Sequence, residues 1–167
     1  MHSLSTVLQL NKNDEVHVQP NRDGDLQFAY FVGYLLNQNV SFCAKGRPTR
    51  NYNPGQITYG SVSPNHGNGL VASTGIFTAP VSGTYAFHFH GLNWFSKVTD
   101  ISFRLNNHQV AGSRSYIKES ERGDNYQIVA ISVVLKLEEN DVVDVFLSKG
   151  KLYGSFTLSC FKGYLLF

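Results

Sequence analysis

The chain has 167 residues, with 14 Lys and Arg against 12 Asp and Glu and a formal net charge of +2 at pH 7. So small a charge excludes a strong electrostatic attraction to nucleic acid or to an acidic membrane surface, and no apolar run is long enough for insertion across a bilayer. Aromatic residues make up 13% of the chain and charged residues only 16%, and with many Val, Ser and Gly residues this composition favours an all-β fold.

The first part of the chain resembles its last part. Two segments match two later ones: 7–18 with 134–145, and 31–36 with 161–166. Such a repeat indicates two copies of one structural unit. We therefore expect residues 1–37 to be the last strands of a preceding, truncated copy, and residues 38–167 to be one complete domain of a longer tandem protein. Because a lone hairpin is marginal in water, the truncated copy should pack loosely on the main domain or be poorly ordered.

The rest of the chain predicts about ten short strands. No segment shows a sustained helical period, and Gly, Pro and Asn clusters separate the strand-like runs. The predicted strands cover residues 39–44, 56–62, 70–79, 83–94, 100–105, 108–116, 126–137, 142–147 and 156–167, with a turn cluster at 63–69. This pattern is typical of an all-β sandwich or jelly roll.

Residues 75–89 form the most informative stretch. Pro80 closes a first strand because it cannot donate to a strand ladder, and a Ser-Gly turn follows it. In the next strand, Tyr85, Phe87 and Phe89 fall on one face by their period of two. Aromatic side chains bury large apolar areas, so this stretch should anchor the sheet core.

The same stretch, read as G-x-F-x-A-P-x-x-G-x-Y-x-F, resembles the central signature of the C1q domain family, part of the C1q/TNF-like superfamily. Further blocks of the family follow in order, ending in one that resembles "L-x-L-x-x-G-D-x-V" and a closing "F-x-G-[FY]-L-L". The expected family-signature core is Phe42, Tyr59, Gly75, Phe77, Pro80, Gly83, Tyr85, Phe87, Leu137, Asp141, Phe161, Gly163 and Leu165. Asn140 stands where the family usually has Gly, and Asn tolerates the left-handed conformation that this turn needs.

The resemblance implies a ten-strand jelly roll of two packed sheets and a compact homotrimer. It also implies a secreted, non-enzymatic recognition module that binds surface glycans or proteins in innate immunity or extracellular signalling. A TNF-like or adipokine-type ligand for a cell-surface receptor and a structural matrix component are the alternatives. The residues agree in two respects: no catalytic motif is recognisable, and two strands carry apolar residues on both faces, which a symmetric subunit contact would cover.

Two cysteines and a glycosylation sequon are the candidate modification sites. Cys43 and Cys160 are either two buried thiols or a single disulfide that ties the first strand of the domain to the last. Asn39 begins an Asn-Val-Ser sequon at the junction between the two units, where exposure is expected. No amino-terminal segment has the layout of a signal peptide, so the expected extracellular location rests on the resemblance.

Three groups of residues are candidate binding sites. His88 and His90 share one strand face, which suits a metal but equally suits polar histidines at a subunit contact. The basic loop residues Lys45, Arg47 and Arg50 could bind sulfated or phosphorylated glycans, or form a solvated loop. The tripeptide that contains Arg122 and Asp124 is an integrin-type motif or an ordinary turn.

Calcium is the one candidate cofactor, and it enters only through the resemblance. Some relatives bind calcium near the apex of the trimer, but no ligand positions can be transferred to this sequence. Asp100, Asp124 and nearby loop acids are candidate participants.

Overall fold

A computed structural model of the chain describes residues 15–16, 40–47, 52–93, 96, 98–117, 127–154 and 158–167. Every regular element within these residues is a β-strand, which confirms the predicted all-β class. In chain order the strands are β1 Ser41–Lys45, β2 Gly55–Gln56, β3 Ser61–His66, β4 Leu70–Val71, β5 Ile76–Thr78, β6 Gly83–Asn93, β7 Val98–Leu105, β8 His108–Tyr116, β9 Ile128–Leu137, β10 Val142–Lys149, β11 Leu152–Tyr153 and β12 Cys160–Leu165. This described part of the chain holds no helix long and apolar enough to cross a membrane.

The strands form two antiparallel sheets. The first sheet runs β9–β6–β12–β1–β3, with β11 paired to β6 beyond the end of β12. The second sheet runs β4–β5–β10–β7–β8, with β2 also paired to β10. The first and last strands of the domain, β1 and β12, are therefore hydrogen-bonded neighbours. This connectivity is the predicted jelly roll of two packed sheets.

The core between the sheets is aromatic. Phe87, in the middle of β6, has its ring centroid 5.4 Å from that of Phe77, 5.6 Å from that of Phe103 and 6.1 Å from that of Phe161. Several residues of the expected signature are almost completely buried, namely Phe42, Tyr59, Phe77, Tyr85, Phe87, Leu137 and Phe161. Burial of aromatic area on this scale is the main force that holds the two sheets together.

Two turn positions have a left-handed backbone that restricts which residue fits there. Gly75 has φ = 73°, and a Cβ at this position would collide with the carbonyl oxygen of Ile57. Only glycine therefore fits here without displacing the backbone. Asn140 also has φ = 73°, and its N–H donates to the carbonyl oxygen of Ala79 at 2.8 Å. The substitution of Asn for Gly thus preserves the left-handed turn, as expected.

Strand boundaries differ from the prediction between residues 55 and 79. The predicted strand 56–62 is divided between β2 and β3, the predicted turn cluster 63–69 contains most of β3, and the predicted strand 70–79 is divided between β4 and β5. Pro64 is tolerated because β3 lies at the edge of its sheet, where β1 is its one partner among the described strands. The structure describes twelve strands against nine predicted ranges, because two of those ranges are each divided in two and β11 was not predicted.

Candidate functional site

One face of the first sheet is turned away from the core, and we call it the open face. Because side chains alternate along a strand, the inward Phe87 and Phe89 of β6 leave Ala86, His88 and His90 on the other side. Residues paired with them share that face. The open face comprises Thr84, Ala86, His88, His90 and Leu92 of β6, Ile128, Ala130, Ser132, Val134 and Lys136 of β9, Cys160, Lys162 and Tyr164 of β12, and Ser41, Cys43 and Lys45 of β1.

The open face is weakly polar and lacks acidic groups. Val134 is 62% exposed and Ile128 is 47% exposed. None of the described strands of the first sheet contains Asp or Glu. Both residues lie on β9, with Ala130 and Ser132 between them, so β9 carries the exposed apolar part of this face.

Both histidines of the open face lie beside a buried lysine. His88 contacts the Ser132 hydroxyl through Nδ1 at 2.9 Å and the Tyr164 hydroxyl through Nε2 at 3.4 Å, and its ring stacks on that of Tyr164. Burial, and secondarily the positive charge of Lys162, lower the pKa of His88 and of His90 below the ordinary value. The imidazoles are therefore neutral near pH 7. Among the described residues, no group of three or more His, Cys, Asp or Glu is arranged to hold a metal ion.

Cys43, Cys160 and Lys162 form what we call the thiol–lysine cluster. Their strands place Cys43 directly opposite Lys162, and Cys160 two residues before it on the same face. The two sulfur atoms lie 3.7 Å apart and are not joined by a disulfide bond. Lys162 is only 1% exposed, and its Nζ has no hydrogen-bond partner. Burial lowers the pKa of Lys162, whereas the hydrogen bond to Cys43 and then burial raise the pKa of Cys160.

The basic loop is partly engaged in the structure. Arg47 donates from Nε to the carbonyl oxygen of Tyr59 at 3.3 Å, and its backbone N–H donates to the Tyr52 hydroxyl at 3.0 Å. Lys45 is exposed. The other predicted loop and modification residues lie outside the described residues, namely Asn39, Arg50, Arg122 and Asp124. Of the three basic residues, only Lys45 is thus shown as open to a ligand.

Acidic residues outside the first sheet have structural partners. Asp141 accepts from the Asn106 side chain and from the Glu138 backbone N–H, each at 2.8 Å, and these bonds lower the pKa of Asp141. Asp100 is held by both nitrogens of the Arg114 fork, and this interaction lowers the pKa of Asp100. Because its carboxylate is already paired, Asp100 is a poor calcium ligand. Calcium binding stays a prediction without a ligand set.

Sequence reasoning missed the buried ion pair between Asp144 and Arg104 in the second sheet. Asp144 is 2% exposed and accepts from Arg104 Nε at 2.7 Å and from Nη2 at 2.8 Å, while the guanidinium lies 4.2 Å from the ring centroid of Phe146. The available signal was a single acidic residue inside an otherwise apolar strand. A buried charge in that position requires a partner, and the pairing of β10 with β7 supplies it.

Comparisons with known proteins agree with this architecture. Residues 41–166 match the family model described as C1q domain. Among solved structures, the globular domain of zebrafish complement 1qA is 18% identical, with a TM-score of 0.62 over 77% of this chain and 98% of that one. Eiger TNF from S. frugiperda is 12% identical, with a TM-score of 0.63 over 78% of this chain and 94% of that one. Murine APRIL, also 12% identical, gives 0.57 over 75% and 99% respectively. At these identities the likeness to solved structures shows the fold alone.

Proposed function

Because the chain belongs to the C1q domain family, we propose that it is a non-enzymatic extracellular recognition module, which assembles as a homotrimer and binds surface glycans or proteins. The observation that supports the assembly is the open face. Its described strands contain no carboxylate, and Ile128 and Val134 are exposed apolar side chains on it. In a cyclic trimer each contact joins two different patches, so the open face would meet another surface of the neighbouring copy and bring no unpaired acidic charge to it.

Val134 is the sharpest probe of this assembly. It is the most exposed apolar residue of the open face, and Val134→Glu would place a carboxylate in the proposed contact. Val110 of β8, which is 44% exposed on the other sheet, provides a matched control in Val110→Glu. Sedimentation equilibrium of the full chain should give a trimer for the wild type and for Val110→Glu, and a monomer for Val134→Glu. A monomeric wild type, or a trimeric Val134→Glu, would contradict the proposal.

The ligand class needs a separate measurement. In the proposed role, the trimer binds glycans or microbial surfaces with micromolar affinity per site, strengthened by three copies acting together. Binding to a glycan array should therefore weaken strongly in the monomeric Val134→Glu variant. Saturable binding to a cell-surface protein at picomolar to nanomolar concentration would favour the alternative of a TNF-like or adipokine-type ligand. Incorporation into insoluble matrix without either activity would favour a structural component.

The tandem organisation is a second part of the proposal. Residues 1–37 match the carboxyl-terminal segments of the domain in sequence, and apart from residues 15–16 they lie outside the described residues. We take them as the end of a preceding C1q-like copy. Limited proteolysis should remove this segment and leave a resistant fragment that begins near residue 38, whereas a segment as resistant as the core would contradict this assignment. Glycosylation at Asn39 would be detected as a mass increase after secretion from a eukaryotic cell.

A further inference from the structure

Among the described residues, no carboxylate lies beside the buried ammonium of Lys162. The groups that face it are His88 and His90 from β6, Cys43 and Lys45 from β1, and Cys160 and Tyr164 from its own strand. None of these is an Asp or a Glu, and Nζ has no hydrogen-bond partner in the structure. A buried charge without a partner is costly, so Lys162 favours a negative charge on the adjacent thiol pair.

We propose that Cys43, Cys160 and Lys162 form an oxidant-sensitive thiol site, at which a peroxide converts the two thiols reversibly into a disulfide between β1 and β12. The proposal goes beyond ligand recognition and does not depend on it. It rests on three observations: the sulfur–sulfur distance of 3.7 Å, the position of Lys162 opposite Cys43, and its unpartnered Nζ.

The reaction divides the roles between the two cysteines. Cys160 donates its proton toward Cys43 and keeps it, because the hydrogen bond and burial raise the pKa of Cys160. The Cys43 thiolate, beside the Lys162 ammonium, attacks one oxygen of hydrogen peroxide and becomes a sulfenic acid, while the other oxygen leaves as water after taking up a proton. The Cys160 sulfur then attacks the sulfenic sulfur and loses its proton, and a second water leaves. In total, two thiols and one peroxide give one disulfide and two waters.

The register predicts that this bond is easily reduced. Cys43 faces Lys162 and Cys160 faces Lys45, so the two cysteines are diagonal rather than direct partners. Diagonal neighbours have Cα atoms about 7–8 Å apart, whereas disulfides prefer about 4.4–6.8 Å. The strands must shift to form the bond, and a disulfide formed in this way is regulatory rather than permanent.

The test follows disulfide formation in the reduced full chain. Under stoichiometric hydrogen peroxide, the intact mass should fall by two hydrogen atoms, and non-reducing peptide mapping should join the peptides of Cys43 and Cys160. Reduced glutathione should reverse the change. Failure to form this link with excess peroxide would overturn the proposal. A link already present in the purified protein that glutathione does not reduce would also overturn it, because the bridge would then be a permanent one.

Lys162 variants separate a chemical role from a structural one. Lys162→Met should slow disulfide formation about tenfold at pH 7, because one unit of thiol pKa changes the thiolate fraction tenfold. Lys162→Arg, which keeps the charge, should react at nearly the wild-type rate. The pH midpoint of the wild-type rate should lie below the midpoint of the Lys162→Met rate. Equal midpoints, or an unchanged rate in Lys162→Met, would refute the role of the lysine. The same reaction in Val134→Glu distinguishes failure of this site from failure of the assembly.

Discussion

Replacing Gly163 by Ala should destabilise the domain through the aromatic core. Gly163 lies on β12 between β1 and β6, opposite Phe42 on one side and Phe87 on the other. A Cβ at this position would lie 2.5 Å from Phe42 Cε1, 2.6 Å from Phe87 Cδ1 and 2.7 Å from Phe87 Cε1. Those rings are themselves packed against Phe77 and Phe161, so they cannot move away freely.

Overpacking of a dense core costs about 1–3 kcal/mol, and three ring atoms at these distances place Gly163→Ala near the middle of the range. With a urea dependence of about 2 kcal/mol per molar for a small domain, the unfolding midpoint should fall by about 1 M. The measurement is urea unfolding of the full chain followed by near-ultraviolet circular dichroism. Wild type and variants must be compared at one protein concentration, because assembly would shift the midpoint.

Gly112→Ala is the matched control for this experiment. Gly112 also lies within a strand, but a Cβ there would mainly meet the flexible end of the Gln109 side chain, at 2.9 Å. Its effect should therefore be small. Because Leu is smaller than Phe, adding Phe87→Leu should reduce the loss in free energy of unfolding that Gly163→Ala causes. The coupling free energy between the two substitutions should be at least about 0.5 kcal/mol. Equal midpoints for the two glycine variants, or additive effects with Phe87→Leu, would refute the steric explanation.

Three further substitutions test single positions. Asp144→Ala should lower the free energy of unfolding in urea by about 3 kcal/mol, because it leaves the Arg104 charge without its buried partner. Asp100→Ala should lower it much less, because the partner of Asp100 is at the surface. The pKa of His90 is lowered in the folded state, so the unfolded chain binds a proton more readily and the melting temperature falls as the pH drops below about 6.5. His90→Gln should therefore reduce this loss of thermal stability in acid. Asn140→Gly should leave the melting temperature unchanged or raise it, whereas Asn140→Ala should lower it because of the positive φ.

Alternation predicted the central strand well because its two faces have different environments. In β6 the aromatic residues enter the core and the small or polar residues lie on the open face, so the period of two is visible in the sequence. The same reasoning failed at residues 63–66, where Pro64 and Asn65 indicate a turn. As an edge strand, β3 needs pairing on only one side, so it tolerates residues that an internal strand would exclude.

The spatial proximity of the residues in the thiol–lysine cluster could not be predicted from the sequence. Cys43 and Cys160 are 117 positions apart, and their proximity depends on the pairing of β1 with β12. Lys162 stands between Phe161 and Gly163, where alternation alone predicts a solvent-facing cation. It is buried instead, at 1% exposure, and its neighbours Cys43 and His88 on β1 and β6 follow only from the strand order and register.

The electrostatics of the open face connect its two proposed roles. In a symmetric assembly every copy brings the same cationic groups to the contacts. Burial of Lys162 and the neutrality of His88 and His90 near pH 7 lower the positive charge of this face, on which Lys45 and Lys136 are exposed. A thiolate at Cys43 would cancel the charge of Lys162, whereas disulfide formation would remove that compensation. Oxidation of the cluster therefore changes the charge of the same surface that we propose joins the subunits.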